Sequence, residues 1–200
     1  ALRRAGLSVD IVPSETRDLG AYDVVFGPGL ATLTPQMLNA LQTYSGTAIL
    51  GPRSNSKTAH MAIPVPLPPN LPGLDCVVDR VESLPPSQAI EVTGGGHIRH
   101  WFEHLEGSAD PVLETRDGKP VMMRKDGLHY LGGWPDEALW DRIVQTACAA
   151  HGIPTEALPD GLRLRDTETH RFAFNYAPEP QSYRGQDIPA AGVVWWPLEQ

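Results

Sequence analysis

The sequence predicts a mixed α/β domain followed by a small antiparallel β domain. Three observations lead there. In the first fifty residues, short apolar runs and one well-capped helix alternate in the order strand, strand, helix, strand, the signature of an α/β layer. The run Thr47-Ala48-Ile49-Leu50 is apolar almost throughout, as in parallel strands buried on both faces. From Leu158 onward the pattern is purely β. The boundary is therefore expected near residue 157, with 1–157 as one domain and 158–200 as the other.

Each element has a local reason. Leu2, Ala5 and Leu7, closed by Gly6, read as the last turn of a helix. A chain that opens inside a helix is expected to belong to a longer polypeptide. Ser8 to Val12 alternates and ends at Pro13, so a short strand is expected. Tyr22 to Phe26 is the next strand, closed by Gly27-Pro28-Gly29. Thr34 then caps a helix with Pro35 at its first position, and Met37, Leu38, Leu41 and Tyr44 keep helical spacing up to Gly46. Residues 59–90 change character. Pro64, Pro66, Pro68, Pro69, Pro72, Pro85 and Pro86 exclude a persistent helix or central strand there. An excursion wrapping the surface is expected, with a strand between Leu74 and Leu84. His97 to Leu105 has an ambiguous period and suits a short helix or a strand. Val112 to Thr115 and Pro120 to Arg124 flank Asp117-Gly118, a hairpin signal. Gly127 to Gly132 is a further strand, and Pro135-Asp136-Glu137 opens a second helix that Gly152-Ile153-Pro154 stops. Leu162 to Leu164 is expected to pair with Arg171 to Tyr176, before a closing β run at Val193 to Leu198.

Composition narrows the function classes. The charge balance is −8, with 16 basic against 24 acidic residues. Phosphate neutralisation needs a basic face, so nucleic-acid and anionic-membrane binding are not expected. No apolar run approaches the roughly 18–20 residues of a spanning helix. Cys76 and Cys148 stand 72 positions apart in apolar contexts, too isolated for a zinc motif or a disulfide framework. Two buried free thiols in a reducing, cytoplasmic setting are expected.

Two motifs invite chemistry. Gly51-Pro52-Arg53-Ser54-Asn55-Ser56-Lys57-Thr58 follows a strand and imitates a phosphate loop. Ser56 replaces its second glycine, Pro52 has no N–H, and little room remains for a helix before Pro64. A polar loop at the sheet's C-terminal edge is the better reading, with Arg53 and Lys57 as candidate interface residues. His97, His100, Glu103 and His104 form a cluster whose histidines could share a helical face and hold zinc, but Trp101 and Phe102 in the same segment want burial. An interface element presenting His97, His100 and Trp101 is favoured over a metal site. No G-x-S-x-G elbow exists, and neither cysteine sits where a thiolate would be stabilised. No catalytic residue, cofactor or metal is assigned.

Several of these segments carry a resemblance. Leu50 to Thr58, Arg80-Val81-Glu82-Ser83-Leu84-Pro85-Pro86 and Tyr130-Leu131-Gly132-Gly133-Trp134-Pro135-Asp136 resemble segments of the glycoside hydrolase family 42 β-galactosidases. Leu2 to Val12 and Tyr22 to Pro28 look like that family's middle domain, and Phe172 to Ala177 like its C-terminal β domain. The resemblance implies a flavodoxin-like open sheet similar to class I glutamine amidotransferases, with flanking helices, followed by the β domain. It also implies that this region forms a homotrimer, with the proline-rich wrap at 62–72 and the aromatic His97–His104 segment as the expected contacts, and packs on a (β/α)₈ barrel holding the catalytic glutamates. A barrel needs about 250 residues, so it has no place in this chain. The middle domain's first strand is expected to be missing here. In active amidotransferases a cysteine stands at the turn after a central strand; here that turn reads Gly51-Pro52-Arg53-Ser54. The expected function is non-catalytic assembly of a β-galactosidase. The alternative is a free-standing amidotransferase-like domain that binds a small molecule or sugar.

Overall fold

The computed structural model describes residues 1–198 and divides into two compact units, Val12–Trp140 and a second made of Ala1–Ile11 with the segment from Asp141 onward. Residues 12–140 contain β1 (Val24–Gly27), α1 (Pro35–Thr43), β2 (Thr47–Leu50), β3 (Val77–Ser83), β4 (Ile90–Glu91), β5 (His97–Glu106), β6 (Asp110–Glu114), β7 (Pro120–Lys125), β8 (Leu128–Leu131) and β9 (Gly133–Pro135). One sheet has the order β1-β2-β8-β7-β6. Its β1, β2 and β8 are parallel, and the β6–β7 hairpin adds antiparallel strands. The second sheet is antiparallel and centred on β5, which pairs with β3, β4 and β9. The architecture is thus mixed α/β with only two α-helices among the described residues.

Local signals explain the first sheet. Thr34 Oγ1 accepts the Met37 N–H at 3.1 Å, which satisfies one orphan donor of α1, and Pro35 costs no hydrogen bond at the first helical position. That cap directs Met37, Ala40 and Leu41 into a core shared with Ala48 and Leu50 of β2. Strand β2 occupies the predicted positions, and the Asp117-Gly118 turn joins β6 to β7 as expected. The proline-rich excursion carries no regular strand before Val77, yet Leu71, Leu74 and Cys76 descend from it into the same core.

Helix α2 (Glu137–Ala149) starts at Asp136, whose Oδ1 accepts the Leu139 N–H at 2.9 Å. It ends in a Schellman arrangement: Ile153 N–H reaches Cys148 O at 3.0 Å, and Gly152 N–H reaches Ala149 O at 3.1 Å. Gly152 has φ +66°, the left-handed conformation this cap requires. The same pattern closes the first turn of the chain, where Leu7 N–H bonds Leu2 O and Gly6 N–H bonds Arg3 O.

The other unit holds β10 (Leu162–Asp166), β11 (His170–Asn175), β12 (Gln181–Tyr183), β13 (Gln186–Ile188) and β14 (Val193–Pro197). Strands β10, β11 and β14 form an antiparallel sheet, with Leu164 opposite Ala173, and β12–β13 form a separate hairpin that the sequence did not announce. The strand expected at Ser8–Val12 is absent. Side-chain contacts tie it down instead of a ladder: Arg165 donates to Val9 O at 2.8 Å and pairs with Asp10 at 2.7 Å, and the Asp166 N–H donates to Ser8 Oγ.

Candidate interface site

The loop after β2 is held by an unusual concentration of backbone hydrogen bonds. Ser54 N–H donates to Gly51 O, Asn55 N–H to Leu30 O, Ser56 N–H to Arg53 O and Lys57 N–H to Ala31 O, at 2.8 to 3.3 Å. Arg53 N–H donates to Glu103 Oε1 at 3.0 Å. Five successive N–H groups, 53 to 57, are therefore committed to protein acceptors. A phosphate loop works by leaving such groups to the ligand, so the likeness to that motif ends at sequence. Ser54 is fully buried, and its hydroxyl donates to Gly51 O at 2.8 Å, which removes it as a nucleophile.

Glu103 is the centre of this region. It lies on β5 with 2 % exposure. Its carboxylate accepts three hydrogen bonds: from Arg53 N–H at 3.0 Å, Trp101 Nε1–H at 2.9 Å and Tyr130 O–H at 2.6 Å. A buried carboxylate is tolerated only when its lone pairs are filled this way. The three donors come from the loop after β2, from β5 itself and from β8, so one side chain ties both sheets to the loop. Burial, and then the Glu103 charge, push the Tyr130 phenol well above its ordinary range, so it remains a donor.

Arg53 shows how the loop presents a charge. Its backbone is left-handed at φ +66°, which costs a non-glycine residue roughly 1–2 kcal/mol. The bond to Glu103 helps hold it there. Its guanidinium stands 5.4 Å from the ring centroid of half-buried Trp101 and the residue is exposed. Arg53 and Trp101 are thus brought together. Lys57 lies four residues on and is partly buried.

The histidines separate. Segment 97–106 is a strand, because it is the central partner of β3, β4 and β9, so no helical face collects them. His97 Nδ1 lies 2.9 Å from Asp136 Oδ2, beside the α2 cap. His104 Nε2 lies 2.8 Å from Glu82 Oε1. His100 is exposed at a bulge with φ +64°. No group of three or more His, Cys, Asp or Glu side chains able to hold a metal occurs among the described residues. The thiols are unsuited to attack: burial pushes Cys76 up to about 12, with Glu103 and Asp75 adding to it, and burial raises Cys148 as well.

Sequence reasoning grouped Glu103 with the histidines and missed its role as a buried acceptor. A signal existed: read with a strand's period of two, Trp101, Glu103 and Leu105 fall on one face, which sets a carboxylate between two apolar residues that face inward.

Comparisons with known proteins agree with this picture. The chain is 40% identical over 185 residues to a β-galactosidase of Thermus thermophilus, covering 90% of this chain and 28% of that protein. The crystal structure of a β-galactosidase from the psychrophilic Marinomonas ef1 superposes with a TM-score of 0.89 at 32% identity, over 99% of this chain and 32% of that one. A polyextremophilic β-galactosidase from the Antarctic haloarchaeon Halorubrum lacusprofundi gives 0.80 at 26% identity, over 97% of this chain and 34% of that one. The chain thus spans about three tenths of the relatives it matches. Residues 1–154 match the family described as the β-galactosidase trimerisation domain. With that match across most of its length, and the fold to go with it, this chain belongs to the β-galactosidase trimerisation domain family.

Proposed function

We propose that this chain is the non-catalytic assembly region of a β-galactosidase whose complete form hydrolyses terminal β-D-galactosides at carboxylates located elsewhere. The family match over residues 1–154 carries the reading. It is supported by the turn after β2, which offers Arg53 and a buried, bonded Ser54 where a nucleophile would be needed. In this reading residues 1–157 form the trimerising domain, an open sheet of the amidotransferase type around β1, β2 and β8, and 158–200 form a C-terminal β domain. The matched range ending at 154 favours that boundary. Arg53, Lys57, His97, His100 and Trp101 contact a neighbouring subunit or the catalytic barrel of the parent enzyme. Arg53 suits this role because its backbone is fixed by Glu103 while its guanidinium is exposed over Trp101. The parent enzyme works in the cytoplasm and binds neither nucleic acid nor membrane. No helix among the described residues is long and apolar enough to cross a bilayer.

The test is hydrodynamic mass by light scattering at micromolar concentration, together with an assay on a chromogenic β-galactoside. A mass three times 21.8 kDa with no turnover is expected. A monomer at every concentration, or hydrolysis that survives repurification, refutes the proposal.

A further inference from the structure

The segment Met61-Ala62-Ile63-Pro64-Val65-Pro66-Leu67-Pro68-Pro69 has an unusual combination of properties. Four of its large apolar side chains are exposed: Met61 at 66 %, Ile63 at 63 %, Val65 at 95 % and Leu67 at 49 %. Single exposed apolar residues are ordinary, but four within seven positions form a patch that needs a reason. The segment is also tied down at both ends. Thr58 N–H bonds Ala62 O at 2.9 Å, Met61 N–H bonds Thr58 O at 2.9 Å, and Thr58 Oγ1 accepts from the His60 and Ala62 N–H groups. At the far end Val78 N–H bonds Pro68 O at 2.7 Å, and Asn55 Nδ2 donates to Pro69 O at 2.9 Å.

Prolines at 64, 66 and 68 fix φ at every second residue and remove the N–H groups a ladder would use. The strap therefore cannot recruit a partner by adding a strand. It can offer only side-chain packing, and its stiffness lowers the entropy cost of doing so. It contains no charged residue, whereas the chain as a whole carries −8. Copies with that charge repel one another, so contact between them is cheapest at a surface free of charge. The strap lies inside the matched range 1–154, and the Asn55 bond places it next to the loop that bears Arg53.

We propose that the strap Met61–Leu67 is a preformed apolar contact that packs against a second copy of this chain. This rests on the assembly reading above and names the surface that performs it. A threefold ring requires a head-to-tail contact, so each strap meets a different surface of the next copy.

The experiment introduces Val65→Asp and, separately, Ile63→Ser into the chain and measures mass by light scattering across dilution, with Trp195→Ser as control. Trp195 is 61 % exposed and lies outside the matched range. Val65 makes too little contact within its own chain for folding to depend on it, and far-ultraviolet circular dichroism checks that. Burying a charge at a contact should weaken association on the order of 100-fold, and Ile63→Ser on the order of tenfold. Dissociation of folded Val65→Asp, with the control still assembled, supports the strap. Wild type and both strap variants assembling equally overturns it and leaves the assembly reading intact. A wild type that is monomeric throughout overturns the assembly reading itself, and the strap proposal with it.

Discussion

Replacing Glu103 should have a large and graded effect, because one carboxylate fills three hydrogen-bonding roles at a junction of two sheets. In Glu103→Ala, Arg53 N–H, Trp101 Nε1–H and Tyr130 O–H all lose their acceptor. An orphaned buried donor costs about 1–3 kcal/mol. The donors are not equal: Tyr130 is fully buried, whereas Trp101 is half-buried and next to exposed Arg53, where water can substitute. A total of about 3–5 kcal/mol follows, a large part of the ~5–15 kcal/mol that typical domains possess. Glu103→Gln keeps an oxygen for Arg53 and Trp101, and its amide can donate to the Tyr130 oxygen, but the buried Tyr130 O–H then loses the acceptor it has here. The orphaned hydroxyl proton and the lost charge assistance together cost about 1.5–3 kcal/mol, still less than removing all three bonds. Tyr130→Phe removes the 2.6 Å bond alone and should cost about 1.5–3 kcal/mol. Equilibrium urea unfolding, followed by circular dichroism, measures all three. The two milder changes share one hydrogen bond, so their double variant should cost less than their sum. If Glu103→Gln is as damaging as Glu103→Ala, or Glu103→Ala costs under about 1 kcal/mol, the carboxylate is not the acceptor hub described here.

Other perturbations separate local from assembled stability. Thr34→Ala removes the acceptor for Met37 N–H and should cost about 1 kcal/mol in the same urea experiment. Arg53→Ala should leave the unfolding midpoint nearly unchanged while weakening assembly by about 1–3 kcal/mol, read from dilution series; unaltered assembly would remove Arg53 from the interface. Thermal stability should fall in two stages on acidification. Burial depresses the His129 imidazole, so the folded state holds it neutral while the unfolded chain takes up a proton below about 6.5. Stability is then complete above that value and declines as pH drops toward the folded one. Glu156, lowered by its bond from Tyr183 and by Arg184, and Asp166, lowered by Arg171, contribute stability that is present above about pH 4 and is lost as pH falls through their folded values. His129→Gln should abolish the first stage and leave the second, and a melting profile against pH checks both.

The sequence alone determined what depends on near neighbours. Thr34-Pro35 and Asp136 act through hydrogen bonds to residues three positions on, so the helix starts were legible. Gly152 and Gly6 act through bonds within one turn, so the helix stops were too. The parallel strand Thr47–Leu50, the hairpin around Asp117-Gly118 and the pairing of Leu162–Leu164 within the run Arg171–Tyr176, where it meets 173–175, followed from apolar runs and turn chemistry. Tertiary structure decided the rest. Ser8–Val12 alternates like a strand but joins no sheet among the described residues, and Arg165, far along the chain, donates to the Val9 carbonyl instead. His97–Glu106 is periodic enough for either structure, and becomes a strand because three others pair with it. Glu103 looked like any surface acid, since its donors Tyr130 and Arg53 stand 27 and 50 residues away. No local pattern records an acceptor whose partners arrive from other strands. The same holds for the strap: its prolines were visible as an excursion, but only the fold shows that Met61, Ile63, Val65 and Leu67 stay outside while Leu71 and Leu74, a few residues on, are drawn into the core. Apolar composition sets how much surface seeks burial, and the long-range packing of the sheets selects which side chains find it.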